Sequence, residues 1–456
     1  MAFVDRFFAV AVDYAWGWPL IILLIGGGAY LTFLSRFMPF FGARHAVQII
    51  RGKWDDPNDP GEINHFQALT TALSATIGVG NIAGVAIAIT QGGPGAVFWM
   101  WVAAVVGMAT KFFECTLSIM YREEDETGNP QGGPMYYIEA GLGRRFRFMA
   151  VLFSVCGLIG CLSLFQANQL AKVLSENHAV NPWVTGFAMA AIVAVVILGG
   201  IRRIGRFTEK LVPFMCALYV LASLYILATR ADIIPSILYR IVHDAFTGTA
   251  AAGGAAGIAV REVITTGVKR AAFSNEAGIG TAPMAHGAAK TKEPVREGLV
   301  AMVGPFIDTV VICSMTALII LSTDHWQQGA IRGVALTTQV FESALGGFGR
   351  LLITISVALF AISTMVGYSY YGKKCFAYLF GQRRGPLYNY FYIASLIVGA
   401  VWSVGTVVNV LDTAFALMAF PNMIATLLLA PRVMRAVRDY FSRYQVLRGP
   451  FAAGGR

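Results

Sequence analysis

Hydrophobic residues in this chain form long continuous runs instead of alternating with polar residues. Runs of about 20 residues or more are long enough to cross ~30 Å of hydrocarbon as helices. A membrane-spanning strand would alternate apolar and polar positions, and these runs do not. The pattern predicts an all-α integral membrane protein with eleven transmembrane helices. The predicted spans are 18–38, 66–90, 95–121, 146–173, 183–200, 209–230, 253–288, 297–322, 346–378, 387–406 and 409–431.

Composition agrees with a membrane environment. Hydrophobic residues make up 56% of the chain and charged residues 13%, whereas a soluble protein carries about 25% charged residues. In lipid, every backbone N–H and C=O must be paired internally, which favours a helix bundle. The first run lacks a small-residue cleavage site after it, so we interpret it as a retained span.

The distribution of Lys and Arg predicts the orientation. These residues are concentrated in the loops after the odd-numbered spans and in the tail 432–456. Because basic loops stay on the cytoplasmic side, we expect the N-terminus outside and the C-terminus in the cytoplasm of a bacterial-type inner membrane. The net charge of +10 then reflects topology and lipid contact. No soluble basic domain indicates nucleic-acid binding.

Two spans contain small and polar residues at their centres. They read TTALSATIGVGNIAG at 70–84 and TTGVKRAAFSNEAGIG at 265–280, each with a Gly-x-Gly. Small residues also mediate close helix packing, and Gly80 and Gly84 have that spacing. Two such interruptions at matching places in two halves are instead typical of a transporter binding site. Unwinding frees carbonyl groups for a cation and N–H groups for a carboxylate.

These interruptions also predict the domain organisation. Counted from the second span, they begin two sets of five helices, and an odd number of spans gives the two sets opposite orientations. We therefore expect an extra N-terminal helix and linker at 1–60 and a basic tail at 432–456. Between them lie a first repeat at 61–232 and an inverted second repeat at 233–431.

Four stretches carry a resemblance to a known family: ATIGVGNIAGVAIAI, NPQGGPMYYIEAGLG, GVKRAAFSNEAGIGTAPMAHGAA and FAISTMVGYSYYG. With these residues the sequence resembles the alanine/glycine:cation symporter family, the sodium:alanine symporters. The resemblance implies a LeuT-type five-plus-five inverted-repeat fold. It also implies Na⁺-coupled import of alanine or glycine by alternating access, with no enzymatic cofactor and no transition metal.

The resemblance also implies site residues. The expected sodium ligands are the hydroxyls of Ser363 and Thr364 with the carbonyls of Ser74, Ile77 and Phe360. Alone, such hydroxyls often bond the preceding turn of their own helix. The expected substrate contacts are N–H groups at the first interruption for the carboxylate, and carbonyls for the ammonium. These candidates are Thr76, Gly78, Val79, Gly80, Asn81, Phe273, Ser274 and Asn275.

Two further positions complete the predicted pocket. Gln166 is an amide inside the fourth span, and it either contacts the substrate or bonds a neighbouring helix. Tyr368 is expected to cap the pocket together with Phe273. Family members often have tryptophan at the position of Tyr368, so the size limit of the pocket stays open.

Charged residues inside the spans leave alternatives. Arg261, Glu262, Lys269 and Arg270 are expected to face a watery vestibule or pair locally, because lipid exposure would cost roughly 2.5–3.5 kcal/mol each. Glu276 is either a cation ligand, a gate anchor or an acceptor for N–H groups at a half-helix start. Asp308 and Asp412 are single intramembrane acids without an assigned role. A proton-coupled transporter, or one for another solute, on the same fold stays open, and Asp308 or Glu276 would matter most in it. A channel is disfavoured because no filter-like sequence appears. An enzyme is disfavoured because no nucleophile–base pair or metal motif appears.

Overall fold

The computed structural model describes residues 12, 14–126, 128–247, 259–328, 333–402 and 404–444, and helices dominate these segments. The first half contains α1 (Trp18–Leu34), α2 (Met38–Phe41), α3 (Ala43–Ile50), α4 (His65–Thr76), α5 (Gly80–Gly92), α6 (Gly95–Met120), α7 (Pro134–Leu142), α8 (Arg147–Gly160), α9 (Leu164–His178), α10 (Pro182–Ile197) and α11 (Gly200–Ala228). The second half contains α12 (Ile234–Thr247), α13 (Val260–Asn275), α14 (Ala282–His286), α15 (Pro294–Leu321), α16 (Val334–Leu345), α17 (Gly347–Phe380), α18 (Leu387–Val401) and α19 (Val404–Tyr444). A short antiparallel hairpin joins β1 (Glu123–Glu124) to β2 (Pro130–Gln131).

Several helices have the length and composition of membrane spans. Within the described segments, six spans are long and apolar enough to cross a membrane: α6, α8 together with α9, α11, α15, α17 and α19. The bent pair α4–α5 makes a seventh, and α1, α10 and α18 are shorter apolar helices. The structure thus establishes a multi-pass helical protein, while the count of eleven stays a prediction. Residues 253–258 of the predicted seventh span and 445–456 of the tail lie outside the described residues.

The two interrupted helices lie at the centre of the bundle. Helix α4 packs against α11 and α17, and α13 packs against α5 and α6. Every residue from 68 to 86 and from 270 to 289 is buried. Irregular backbone at membrane depth is stable only when protein surrounds it or a cavity adjoins it. The packing therefore allows both helices to be broken.

The two ends of the bundle differ in charge. We call the basic end the one formed by α3, the β1–β2 hairpin, the start of α11 and the end of α19. Its exposed basic side chains include Arg44, Arg203, Arg206 and Arg435.

Helix α4 begins at this end with a reciprocal cap, in which the Asn64 side chain accepts from the Gln67 N–H and the Gln67 side chain accepts from the Asn64 N–H. This cap fixes where α4 starts.

Candidate functional site

The first interruption separates α4 from α5. Helix α4 ends at Thr76, Ile77 is extended with ψ 94°, and the two helices form an angle of 50°. The Gly78 N–H donates to Asn81 Oδ1 at 2.8 Å, which bridges the gap from within. The N–H groups of Val79 and Gly80 lie at the start of α5, where a helix has no internal acceptors for them. The break thus presents N–H groups on one side and carbonyl groups on the other.

The second interruption separates α13 from α14. Three of its residues have positive φ: Glu276 at 55°, Gly278 at 85° and Gly280 at 93°. Glycine adopts this conformation readily, but a glutamate does so only when its surroundings hold it. Here the Glu276 carboxylate accepts from the hydroxyls of Tyr368 and Thr281. The carboxylate thereby attaches the irregular segment to α17.

The five predicted sodium ligands come together. Ser363 Oγ lies 3.3 Å from the Ser74 carbonyl oxygen, 3.4 Å from that of Ile77 and 3.0 Å from that of Phe360. Thr364 Oγ1 lies 3.0 Å from the same Phe360 oxygen. A hydroxyl has one hydrogen and donates to only one acceptor at a time. The Ser363 hydroxyl therefore donates to one of the three carbonyl oxygens around it, and the other two receive no hydrogen from this hydroxyl.

Such an arrangement suits a cation. Oxygen ligands lie about 2.4 Å from an ion such as Na⁺, and neighbouring ligands of an octahedron around it are then about 3.4 Å apart. The separations between the Ser363 hydroxyl and the two α4 carbonyls match that edge. Bonding within α17 alone would engage only the Phe360 oxygen. The carbonyls of Ser74 and Ile77 come from the end of α4 and the residue after it, so the contacts of Ser363 extend beyond back-bonding within α17.

Gly78 lies directly against the cation candidates. A Cβ at Gly78 would overlap the Thr364 hydroxyl, whereas a Cβ at Gly84 would meet no described atom within 4 Å. We therefore expect Gly78→Ala to displace Thr364 and abolish transport, with an overpacking cost of about 1–3 kcal/mol. Gly84→Ala is the matched control and should retain uptake, measured in reconstituted liposomes. Equal uptake by the two variants would contradict the close approach.

Asp308 joins the two interruptions. It lies in the π-helical segment Phe306–Cys313 of α15 and is fully buried. Its carboxylate accepts from Asn81 Nδ2 at 2.7 Å, Ser274 Oγ at 2.8 Å and Thr309 Oγ1 at 2.7 Å. Sequence analysis singled out Asp308 only as an intramembrane acid. A lone acid in an apolar run was the available signal, and its partners were not readable.

Three of the predicted substrate contacts form hydrogen bonds with other groups of the protein. Besides its bonds to Gly78 and Asp308, Asn81 Nδ2 lies 3.2 Å from the Asp308 carbonyl oxygen. The Ser274 hydroxyl is directed to the same carboxylate. Asn275 donates to Thr309 Oγ1 at 3.0 Å and accepts from the Ala277 N–H at 3.0 Å. These side chains stabilise the breaks, which leaves backbone groups as the available polar contacts there.

The remaining predicted contacts surround the first interruption. The Phe273 ring lies 3.4 Å from the position of a Cβ on Gly80. Ring centroids connect Phe273 to Phe165 at 5.4 Å and to Phe415 at 5.6 Å, and Phe415 to Tyr368 at 6.4 Å. Sequence analysis did not single out Phe165 and Phe415, because their apolar side chains carry no signal that separates pocket-lining from core residues.

Two polar candidates differ in how they are satisfied. The Thr76 hydroxyl lies 3.3 Å from the Ala72 carbonyl oxygen, a bond within α4. Gln166 is 3% exposed, and its Oε1 has no hydrogen-bond partner in the described part of the chain. A buried amide oxygen without a partner is costly. Of the two alternatives for Gln166, this favours contact with a ligand over a bond to a neighbouring helix.

A cavity of about 890 Å³ opens at the end opposite the basic end. Its lining includes Arg261, Glu262, Lys269 and Arg270, in agreement with the predicted vestibule. Lys269 and Arg270 lie 2.9 and 2.5 Å from the Asp412 carboxylate. The Arg270 guanidinium also lies 5.4 Å from the Phe273 ring centroid. The cavity floor therefore adjoins the aromatic residues at the breaks.

Comparison with known families decides the class of the protein. The model of the sodium:alanine symporter family matches residues 1–450. The chain belongs to this family. Members of the sodium:alanine symporter family are transporters, so the protein is a transporter of the amino-acid symport class and not an enzyme.

Individual relatives of this symporter differ in what their names state. The sodium/alanine symporter AgcS of Methanococcus maripaludis is 42% identical, covering 94% of this chain and 95% of that protein. A probable sodium/glutamine symporter, GlnT of Bacillus subtilis, is 34% identical over 98% and 93% of the two chains. A putative sodium/proton-dependent alanine carrier, YrbD of Bacillus subtilis, is 35% identical over 93% and 90%.

Solved structures support the fold. A crystal structure of MhsT in complex with L-phenylalanine matches with a TM-score of 0.56 at 12% identity, covering 84% of this chain and all of that chain. At such low identity the likeness concerns architecture alone. It supports a LeuT-like fold for this chain, as the resemblance implied.

Proposed function

We propose that the protein is a Na⁺-coupled symporter that imports alanine or glycine across the cell membrane by alternating access. The observation that carries this proposal is the convergence of oxygen atoms from α4 and α17 on Ser363, beside the N–H groups that begin α5. A cation and an amino-acid carboxylate attract one another, and this site holds groups suited to each.

In this proposal the substrate binds at the first interruption. Its carboxylate accepts from the Val79 and Gly80 N–H groups, and Na⁺ lies among the five oxygen ligands. The ammonium group is held by carbonyls near Thr76, Phe273 and Ser274, with the Gln166 amide oxygen as a further acceptor. The aromatic rings of Phe273, Tyr368 and Phe415 limit the side chain to a small one.

The proposal includes a topology. We infer eleven spans, with an extra helix before repeats at 61–232 and 233–431, and with the basic end in the cytoplasm. The concentration of Arg at that end supports the orientation. The 890 Å³ cavity then faces outward. Filling the site favours a state that opens inward, because a ligand shifts a conformational equilibrium only by binding one state better than another, and the Na⁺ gradient drives net import.

Uptake by reconstituted proteoliposomes tests the proposal. An inward Na⁺ gradient should drive accumulation of radiolabelled alanine and glycine, and an equal K⁺ gradient should not. Labelled glutamine serves as the large-substrate control and should accumulate poorly, because the three rings enclose the pocket. Accumulation that is equal with Na⁺ and K⁺ would contradict sodium coupling.

A second candidate is proton coupling through Asp308. No Lys, Arg or His forms an ion pair with Asp308 within the described segments, although the carboxylate is fully buried. A buried carboxylate without an ion-pair partner carries a costly charge, which a bound proton would neutralise. An inward proton gradient without Na⁺ would then drive alanine uptake, whereas the favoured proposal expects none.

A further inference from the structure

Three buried titratable side chains meet at the basic end, away from the proposed substrate site. Glu297 lies between two histidines: its Oε2 bonds His65 Nδ1, and its Oε1 lies 2.5 Å from His286 Nδ1. The exposed fractions are 1% for His65, 0% for Glu297 and 1% for His286. We call these residues the histidine clasp. A buried group of this kind needs a structural or functional reason.

The clasp joins three elements. His65 begins α4, His286 ends α14, and Glu297 lies in the first turn of α15. It therefore connects the ends of both interrupted helices to a third helix. These ends lie between the breaks and the basic end. The clasp accordingly lies where an inner gate must open.

Backbone hydrogen bonds close the same place. The Glu62 N–H donates to the Ala288 carbonyl at 2.8 Å, and the Lys290 N–H donates to the Ile63 carbonyl at 2.7 Å. The Arg122 guanidinium adds bonds to carbonyl oxygens from both segments. The segments before α4 and after α14 are thus tied together. The structure is closed at the basic end.

The hydrogen bonds of the clasp determine where a further proton binds. A carboxylate only accepts, so both Nδ1 atoms must carry hydrogens. A neutral His65 ring then has a bare Nε2, which has no hydrogen-bond partner within the described residues. Asp55 Oδ1 lies 3.9 Å from this nitrogen. A proton on Nε2 would make His65 an imidazolium held between two carboxylates.

Other charged groups near the clasp come from each neighbouring element. Arg296, beside Glu297 on α15, directs its guanidinium to the Trp54 carbonyl at 3.0 Å. Arg122, in the loop after α6, also interacts electrostatically with Glu297. None of these basic groups forms an ion pair with Glu297 among the described residues, so the two histidines are its direct partners.

We propose that the histidine clasp is a proton-binding site that locks the cytoplasmic gate. The ligand is a proton from the cytoplasm, and His65 receives it. Protonation strengthens the bond from His65 to Glu297 and turns the approach to Asp55 into an ion pair, and opening the gate would separate these groups. The closed state therefore binds the proton more tightly than the open state, and falling internal pH slows gate opening. The inference rests on the proposed transport function and orientation.

Proteoliposomes with a fixed external pH and a varied internal pH test this. We expect Na⁺-driven alanine uptake to slow by roughly tenfold as internal pH falls from about 8 to about 6, since one pKa unit of difference between gate states is a tenfold shift. His65→Gln keeps a donor to Glu297 but does not titrate, so its uptake should not depend on internal pH. A wild-type rate independent of internal pH would overturn the proposal, as would a variant with the wild-type slope.

His45→Gln is the matched control. His45 is buried at the same end, where its Nε2 lies 2.7 Å from the Tyr440 hydroxyl. Burial lowers the pKa of His45, which disfavours the charged form of this ring. The variant should keep the wild-type pH dependence. If it instead abolished that dependence, the proton site would not be the clasp.

Hydrogen exchange separates this inference from the proposed function. In purified wild-type protein, the Glu62 and Lys290 amides should be about tenfold better protected at pH 6 than at pH 8, after correction for intrinsic exchange. His286→Gln, a second variant, should reduce this gain. If the amides are better protected at pH 6 but the protein does not transport alanine, the proposed function is rejected and the proposal for the clasp is kept. If the protein transports alanine but its amides are no better protected at pH 6, only the proposal for the clasp is rejected.

Discussion

Ser363→Ala is expected to abolish Na⁺-stimulated alanine uptake while leaving the protein folded. The substitution removes the hydroxyl on which carbonyl oxygens from α4 and α17 converge. Loss of a bond to a charged group costs about 1.5–3 kcal/mol, which corresponds to roughly a 10- to 150-fold loss of Na⁺ affinity and abolishes the stimulation at Na⁺ concentrations that support wild-type uptake. Initial uptake rates over a range of Na⁺ concentrations measure the effect. Thr364→Ala should act in the same direction.

Ser369→Ala provides the control on the same helix. Ser369 is buried, and its hydroxyl donates to the Val366 carbonyl at 2.7 Å, a bond within α17. Its replacement removes a buried hydroxyl without touching the ion candidates, so the Na⁺ dependence should be unchanged. If both variants shifted the Na⁺ dependence equally, the effect would come from α17 packing and not from an ion ligand.

Asp308→Ala should eliminate uptake and also lower the melting temperature. The carboxylate receives hydrogen bonds from Asn81, Ser274 and Thr309, and its loss leaves these buried donors unsatisfied. Each unsatisfied group costs about 1–3 kcal/mol. Since Asn81 belongs to one interruption and Ser274 to the other, both breaks should loosen together. Thermal unfolding of the purified protein and alanine uptake measure the two effects.

Asp308→Asn is the matched comparison. An asparagine keeps the shape and one acceptor oxygen, and its NH₂ group finds a hydroxyl oxygen on Ser274. Stability should recover most of the loss seen with alanine. Na⁺-driven uptake should recover in part under sodium coupling, whereas proton coupling through Asp308 would leave uptake absent. Unchanged uptake by Asp308→Ala would refute a bridging role.

The broken helices were predictable because their cause is local. Glycine and polar residues in the middle of an apolar run disfavour a continuous helix, and Gly278 and Gly280 adopt the positive φ values that favour glycine. The Ser363–Thr364 pair carried a signal only through the family resemblance. Its hydroxyls alone are indistinguishable from ordinary back-bonding groups.

Contacts between distant residues were not predictable. His65 and Glu297 are separated by 232 positions, and no periodicity connects them. Asp308 lies in the π-helical segment of α15. Because a π-helix has more residues per turn than an α-helix, this segment changes which side chains face the breaks. Phe415 follows the same apolar pattern as the residues around it. In each case the structure adds the neighbour, which a single sequence does not encode locally.

Binding of labelled Na⁺ to the purified protein, with and without alanine, tests the central claim that ion and amino acid share one interruption. Adjacent binding predicts that alanine raises the affinity for Na⁺ by the same factor by which Na⁺ raises the affinity for alanine. In Ser363→Ala this mutual gain should disappear. Na⁺ binding that is unaffected by saturating alanine in the wild-type protein would contradict the account.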